Sequence, residues 1–167
     1  MRERQAFQGA RRAREFEAFV AGAAGRLLHA ATLLTAEAPN DNPRARRLLT
    51  LSLAHTYASW DRLRGEDPYD RARQYLATRF SRAAWHQYGG LGRGRPHHGS
   101  ALGALAPQER LIIVLRLYEG VAEEQAAALL GLPAERVRTI CERATARLLH
   151  PPRGPAPKVG GAEVVPS

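Results

Sequence analysis

The sequence predicts an all-α protein built as two small helical domains joined by a flexible linker. Three observations carry that expectation. Apolar residues recur at helical spacing through the chain, as in Phe16, Phe19, Val20, Leu27, Leu28, Ala31 and Leu34. Cap-then-proline pairs mark helix starts at Asn42-Pro43 and Asp67-Pro68. No segment shows the polar/apolar alternation of a strand, and five glycines crowd into residues 89–100.

The first helix carries the apolar series above and breaks at Ala38-Pro39-Asn40-Asp41-Asn42-Pro43. A second begins at Pro43 and runs through Leu48, Leu51, His55 and Trp60 to the neighbourhood of Leu63, with Gly65 as its stop. The third opens at Pro68 and carries Ala72, Tyr75, Leu76, Phe80 and Trp85. These make a helical domain over residues 1–88, followed by a Gly/Arg-rich linker over 89–100. The Gly-x-Gly pieces of the linker follow no strand, which argues against a phosphate loop. Its adjacent His97 and His98 lack the spacing and acidic company of a metal site, so no metal is expected.

A second helical domain is expected over residues 101–150. Pro107 opens a helix with Leu111, Val114, Leu115 and Tyr118 on its core face, and Gly120 stops it. A short helix from Ala122 to Leu130 ends at Gly131, and a last helix begins around Pro133 and runs through Leu148. Residues 151–167 are rich in Pro and Gly and read as a disordered tail.

Lys and Arg outnumber Asp and Glu by 25 to 16, a formal net charge of +9 that suits an anionic partner. Lys158 is the only lysine, and a high-GC coding bias explains that preference for Arg as well as function does. Cys141 is the only cysteine, which excludes an intrachain disulfide and a cysteine-based zinc site. The N-terminus lacks the apolar run of a signal peptide, and no stretch is read as approaching the roughly 20 apolar residues of a membrane span. A cytoplasmic protein with no membrane partner is expected.

A short helix, a glycine turn and a second basic helix form the helix-turn-helix pattern. Ala126 and Ala127 are small enough for close helix approach, and Leu130, Leu132 and Val137 suit the angle between the helices. The second helix, so presented, fits a DNA major groove. The residues assigned to DNA there are Arg136, Arg138, Thr139, Ile140, Arg143 and Arg147. Arginine can hold phosphate, or guanine through paired hydrogen bonds worth about 1–3 kcal/mol per good base contact. A merely solvated basic face is the competing reading of the same residues.

Several stretches resemble bacterial RNA polymerase sigma factors of the extracytoplasmic-function type, in the sigma-70 family. Leu105-Ala106-Pro107-Gln108-Glu109-Arg110-Leu111-Ile112-Ile113-Val114-Leu115-Arg116-Leu117-Tyr118-Glu119-Gly120 is similar to the start of sigma region 4. Ala126-Ala127-Ala128-Leu129-Leu130-Gly131, Val137-Arg138-Thr139 and Arg143-Ala144-Thr145-Ala146-Arg147-Leu148 continue the likeness. In the N-terminal half, Phe16-Glu17-Ala18-Phe19-Val20, Ala31-Thr32-Leu33-Leu34-Thr35 and Ala54-His55-Thr56-Tyr57-Ala58-Ser59-Trp60 resemble region 2. The resemblance implies an initiation factor whose region 4 reads the −35 element and whose region 2 opens the −10 element. It adds Arg79 and Arg82 to the DNA-binding set and names promoter DNA and core RNA polymerase as partners. An anti-sigma protein is a further candidate partner, and neither cofactor nor catalysis is implied.

The resemblance has departures. Where these sigma factors usually carry an acidic stretch ending in Gln-Glu that docks on polymerase, this chain reads Arg44-Ala45-Arg46-Arg47-Leu48-Leu49-Thr50-Leu51. The residues placed at that docking surface are Arg47, Leu48, Leu51 and His55, although His55 also reads as a packed helix residue. Reversed charge at a docking face costs several kcal/mol where unlike charges become like ones. Thr78 stands where an asparagine is frequent, Ile140 where an arginine is, and Pro133 where a serine cap is. An apolar Ile140 would meet a thymine methyl group or a protein partner. The alternative to a working sigma factor is a sigma-like regulator that no longer docks on polymerase in the usual way. A basic membrane-surface module explains the charge but not the ordered motifs. An enzyme is disfavoured because His29, His55 and His86 are scattered, with no nucleophile or paired carboxylates beside them.

Overall fold

The computed structural model describes residues 2–63, 65–88 and 100–151. Among the described residues there are six α-helices and no strand: α1 (Arg2–Thr35), α2 (Pro43–Ala58), α3 (Pro68–Tyr88), α4 (Pro107–Ile113), α5 (Glu123–Leu130) and α6 (Ala134–Leu149). The all-α expectation therefore holds. Most of the glycine-rich stretch, with His97 and His98, and the tail from residue 152 onward lie outside the described residues.

Helix α1 is the central element. Its inward stripe, Ala23, Leu27, Ala30, Ala31 and Leu34, is at most 7% exposed. Contrary to the sequence expectation, Ala6–Thr35 contains an 18-residue window, of mean hydropathy 1.3, that is long and apolar enough to cross a membrane. Its buried stripe packs against the other helices, which is how the core helix of a globular protein passes the same test. Ala36 then takes a left-handed conformation, φ 53°, and ends the helix.

Asn42 occupies the cap position of α2, but its side chain does not cap. Its amide donates to Thr32 Oγ1 at 3.0 Å and to the Pro39 carbonyl at 3.2 Å. The capping acceptor is Glu37, whose carboxylate takes the N–H groups of Arg44 at 3.1 Å and Ala45 at 2.8 Å. Burial works to raise the Glu37 pKa, but these backbone hydrogen bonds outweigh it and hold the carboxyl below the usual glutamate range. The α-helix of α2 ends at Ala58, short of Leu63, and a 3-10 turn over Trp60–Arg62 follows. The aromatic rings of Phe16, Phe19, Tyr57 and Trp60 meet at centroid distances of 4.9–5.9 Å and fasten this turn to α1.

The C-terminal helices pack on the N-terminal ones rather than standing apart. Leu111, Ile112, Val114 and Leu115 belong to the same buried cluster as Leu27, Leu34, Leu48 and Leu76. After Ile113 the chain widens into a π-helical segment, Val114–Tyr118, where the Glu119 N–H reaches back to the Val114 carbonyl at 2.9 Å. Glu119, its side chain only 1% exposed, accepts the Tyr69 hydroxyl at 2.9 and 3.0 Å. It also lies 3.5 Å from Arg26 and 3.8 Å from Arg73. Burial, then the bond to Glu119, pushes the Tyr69 pKa upward. This polar cluster ties α1 and α3 to the segment after α4.

Candidate DNA-binding helix and the surface beside it

Helices α5 and α6 meet through a turn that Gly131 makes possible at φ 65°, a conformation that costs a residue with a Cβ roughly 1 kcal/mol. Ala126 and Ala127 are at most 5% exposed where the helices approach, and Val137 is completely buried between them. Pro133 is the cap of α6 rather than its first helical residue, with extended backbone at ψ 143°. The buried stripe of α6 is Val137, Ile140 and Ala144.

That stripe corrects one expectation. Ile140 is 4% exposed and packs in the main core, so it reaches neither a thymine methyl group nor a partner. It sits three residues after Val137, on the same inward face of the helix. The outward face carries Arg136, Arg138, Thr139, Arg143 and Arg147, all exposed.

Acids on neighbouring elements hold three of these arginines. Arg138 donates to both oxygens of Glu123 on α5, at 2.8 and 3.2 Å, and those bonds, with the charge of Glu123, raise the Arg138 pKa. Arg147 donates to both oxygens of Glu109 at 2.9 Å, and Arg143 lies 3.5 Å from the same carboxylate. Glu109 also accepts the Ala106 N–H at 3.0 Å and so fixes the start of α4. Thr139 donates its hydroxyl to the Glu135 carbonyl at 2.9 Å. Among the described residues Arg136 makes no ion pair. Glu109, Glu119 and Glu123 were not singled out from the sequence, because they lie 38, 50 and 15 residues from Arg147, Tyr69 and Arg138.

The residues placed at a polymerase-docking surface divide. Leu48 is 8% exposed and shares the buried stripe of α2 with Ala45, Ser52 and Thr56, so it adds little to an outward-facing contact. Arg47 is exposed and Leu51 half-buried. His55 is exposed yet stacked on the Tyr75 ring, with centroids 4.0 Å apart and planes 14° apart. Arg79 and Arg82 on α3 are exposed, and Arg79 shares a cavity with Arg47, Leu48 and Leu51. Among the described residues no cluster of His, Cys, Asp and Glu could hold a metal ion.

A helix pair with one buried stripe and one arginine face, set on a helical body, has the form of a helix-turn-helix. Residues 101–150 match the family model for region 4 of sigma-70. The chain is 30% identical over 152 residues to the RNA polymerase sigma-E factor of Streptomyces coelicolor, a match spanning 80% of this chain and 84% of that protein. No solved structure matches the chain significantly. The chain belongs to the sigma-70 family, among the sigma factors of the extracytoplasmic-function type. It is thus a sigma-like DNA-binding transcription factor, in a family of bacterial transcription regulators rather than enzymes.

Proposed function

We propose that this chain directs core RNA polymerase to promoters in the bacterial cytoplasm, with α6 reading the −35 element. The carrying observation is the outward face of α6, where Arg136, Arg138, Thr139, Arg143 and Arg147 stand exposed while Val137 and Ile140 are sunk into the core. Among the described residues Arg136 has no acid to leave, and it is the first arginine available to a guanine edge or a phosphate. Arg138 and Arg143 keep their guanidiniums near the surface through ion pairs that phosphate can replace. Arg79 and Arg82 on α3 serve the −10 element in this reading.

Titration of duplex promoter DNA into variants of the full chain tests it. Arg136→Ala and Arg143→Ala should each weaken binding, and the salt slope should fall by about one for each lost phosphate contact. Unchanged affinity and salt dependence in both variants would rule α6 out as the reading element.

A second reading, a sigma-like regulator that binds DNA without docking on polymerase, is favoured by one observation. Arg44, Arg46 and Arg47 all stand exposed on α2, where the resemblance leads one to expect an acidic stretch. Co-elution of the chain with core polymerase decides between the two: a joint peak supports the first reading and separate peaks the second.

A further inference from the structure

The cavity beside α2 holds charge that the DNA-reading role of α6 does not use. It has a volume of about 430 Å³, and Arg44 and Arg47 of α2, Arg79 of α3 and Arg110 of α4 line it. No acidic residue lines it. Arg44 is already engaged by Glu37 at 3.1 Å, and Arg110 is 5% exposed. Arg47 and Arg79 differ: both are exposed, and among the described residues neither makes a hydrogen bond or an ion pair. Two arginines from different helices therefore line one concavity, with no acceptor for their donors among the described residues.

Apart from Thr35, the rest of the lining is apolar. Leu48, Leu51, Phe80, Ala83, Ala84 and Pro107 form it, with Leu48 buried, Ala83 exposed and the others half-buried. A solvated basic face needs no such floor. Guanidinium groups bind phosphate through paired, charge-assisted hydrogen bonds, and a half-buried leucine and phenylalanine surface accepts a flat ring. The volume falls within the roughly 300–1,000 Å³ of small-molecule sites and is too confined for a folded partner.

We propose that this cavity is a binding site for a phosphorylated small molecule with a flat apolar body, a nucleotide by chemical class. Arg47 and Arg79 clamp its phosphates, and Leu51, Phe80 and Pro107 cover its ring. The ligand would lie against α2, α3 and α4 at once, and so would bridge the N-terminal helices and the C-terminal ones. The proposal is independent of how α6 meets DNA, but it gives Arg79 to the ligand and leaves the −10 element to Arg82.

Isothermal titration calorimetry of the full chain tests it, with ATP, GTP and inorganic pyrophosphate as probes. The expected result is saturable one-to-one binding of at least one nucleotide, weakened about tenfold by Arg47→Ala and by Arg79→Ala, as loss of a charge-assisted pair requires. Arg14→Ala, which removes an exposed charge from α1, should bind as the parent does. Circular dichroism of each variant should match the parent, since neither guanidinium carries a structural bond. Absence of saturable binding overturns the proposal, and so does an equal loss in Arg14→Ala, which would mark general attraction of anions. Pyrophosphate binding as tightly as the nucleotides overturns the role of the apolar floor.

Discussion

At the residue scale, two glutamates hold arginines of α6. Glu123 holds Arg138 in a two-point contact at 2.8 and 3.2 Å, with its own side chain only 12% exposed. DNA must compete with that carboxylate before Arg138 can bind phosphate. Glu123→Gln removes the competing charge and should raise affinity for duplex DNA, with the salt slope steeper by about one. Fluorescence anisotropy over a salt series reads both quantities; equal or weaker binding by the variant would mean that Glu123 positions Arg138 for DNA rather than restraining it. Glu109 plays the corresponding part for Arg143 and Arg147 while closing the first turn of α4. None of these pairs was legible in the sequence, because their partners lie on different helices and meet only through the fold. Ile140 was misplaced for a related reason. Alignment to a family position where arginine is frequent pointed it outward, while its spacing from Val137 and Ala144 turns it inward.

At the element scale, helix existence was readable and helix detail was not. The proline pairs at Pro43 and Pro68 mark the starts of α2 and α3 as expected. The end of α2 fell early, because a 3-10 turn pinned by the rings of Phe16 and Trp60 replaces its last turn. The cap of α2 came from Glu37, eight residues before Ala45, and not from the adjacent Asn42. The break between α5 and α6 was the most legible feature, since Gly131 does there what its residue type suits. A Cβ added at Gly131 meets nothing within 4 Å, so its replacement isolates the backbone cost. Gly131→Ala should destabilise the chain by about 1 kcal/mol, read by urea denaturation, with little change in m-value. No loss of stability would show that the turn relaxes out of the left-handed conformation.

At the scale of the whole molecule, the sequence suggested two domains on a flexible tether. In the described residues the two sets of helices share one buried cluster, with Leu111 and Ile112 beside Leu27 and Leu34. The periodicity of each helix reveals that it has a buried face but not which neighbour covers it. The cluster of the buried Glu119 with Tyr69, Arg73 and the exposed Arg26 is the polar part of that contact. Glu119→Ala leaves the Tyr69 hydroxyl without its acceptor, while Arg73 keeps Asp70 at 2.8 Å, and should cost about 2 kcal/mol by the penalty for an unsatisfied buried group. An earlier onset of thermal unfolding, with helix content unchanged before the melt, would place that cost between the two sets of helices. A variant as stable as the parent by thermal melting would show that the cluster contributes nothing net to the contact.

Initiation itself gives the most direct test of the central claim that α6 brings polymerase to promoters. Transcripts made by core RNA polymerase from a genomic DNA pool should be compared with no added factor, with this chain, and with its Arg136→Ala/Arg138→Ala/Arg143→Ala variant. The account predicts start sites that depend on the chain, share an upstream element and disappear with the triple variant. Start sites no different from those of core enzyme alone, or start sites that survive the triple variant, would contradict it.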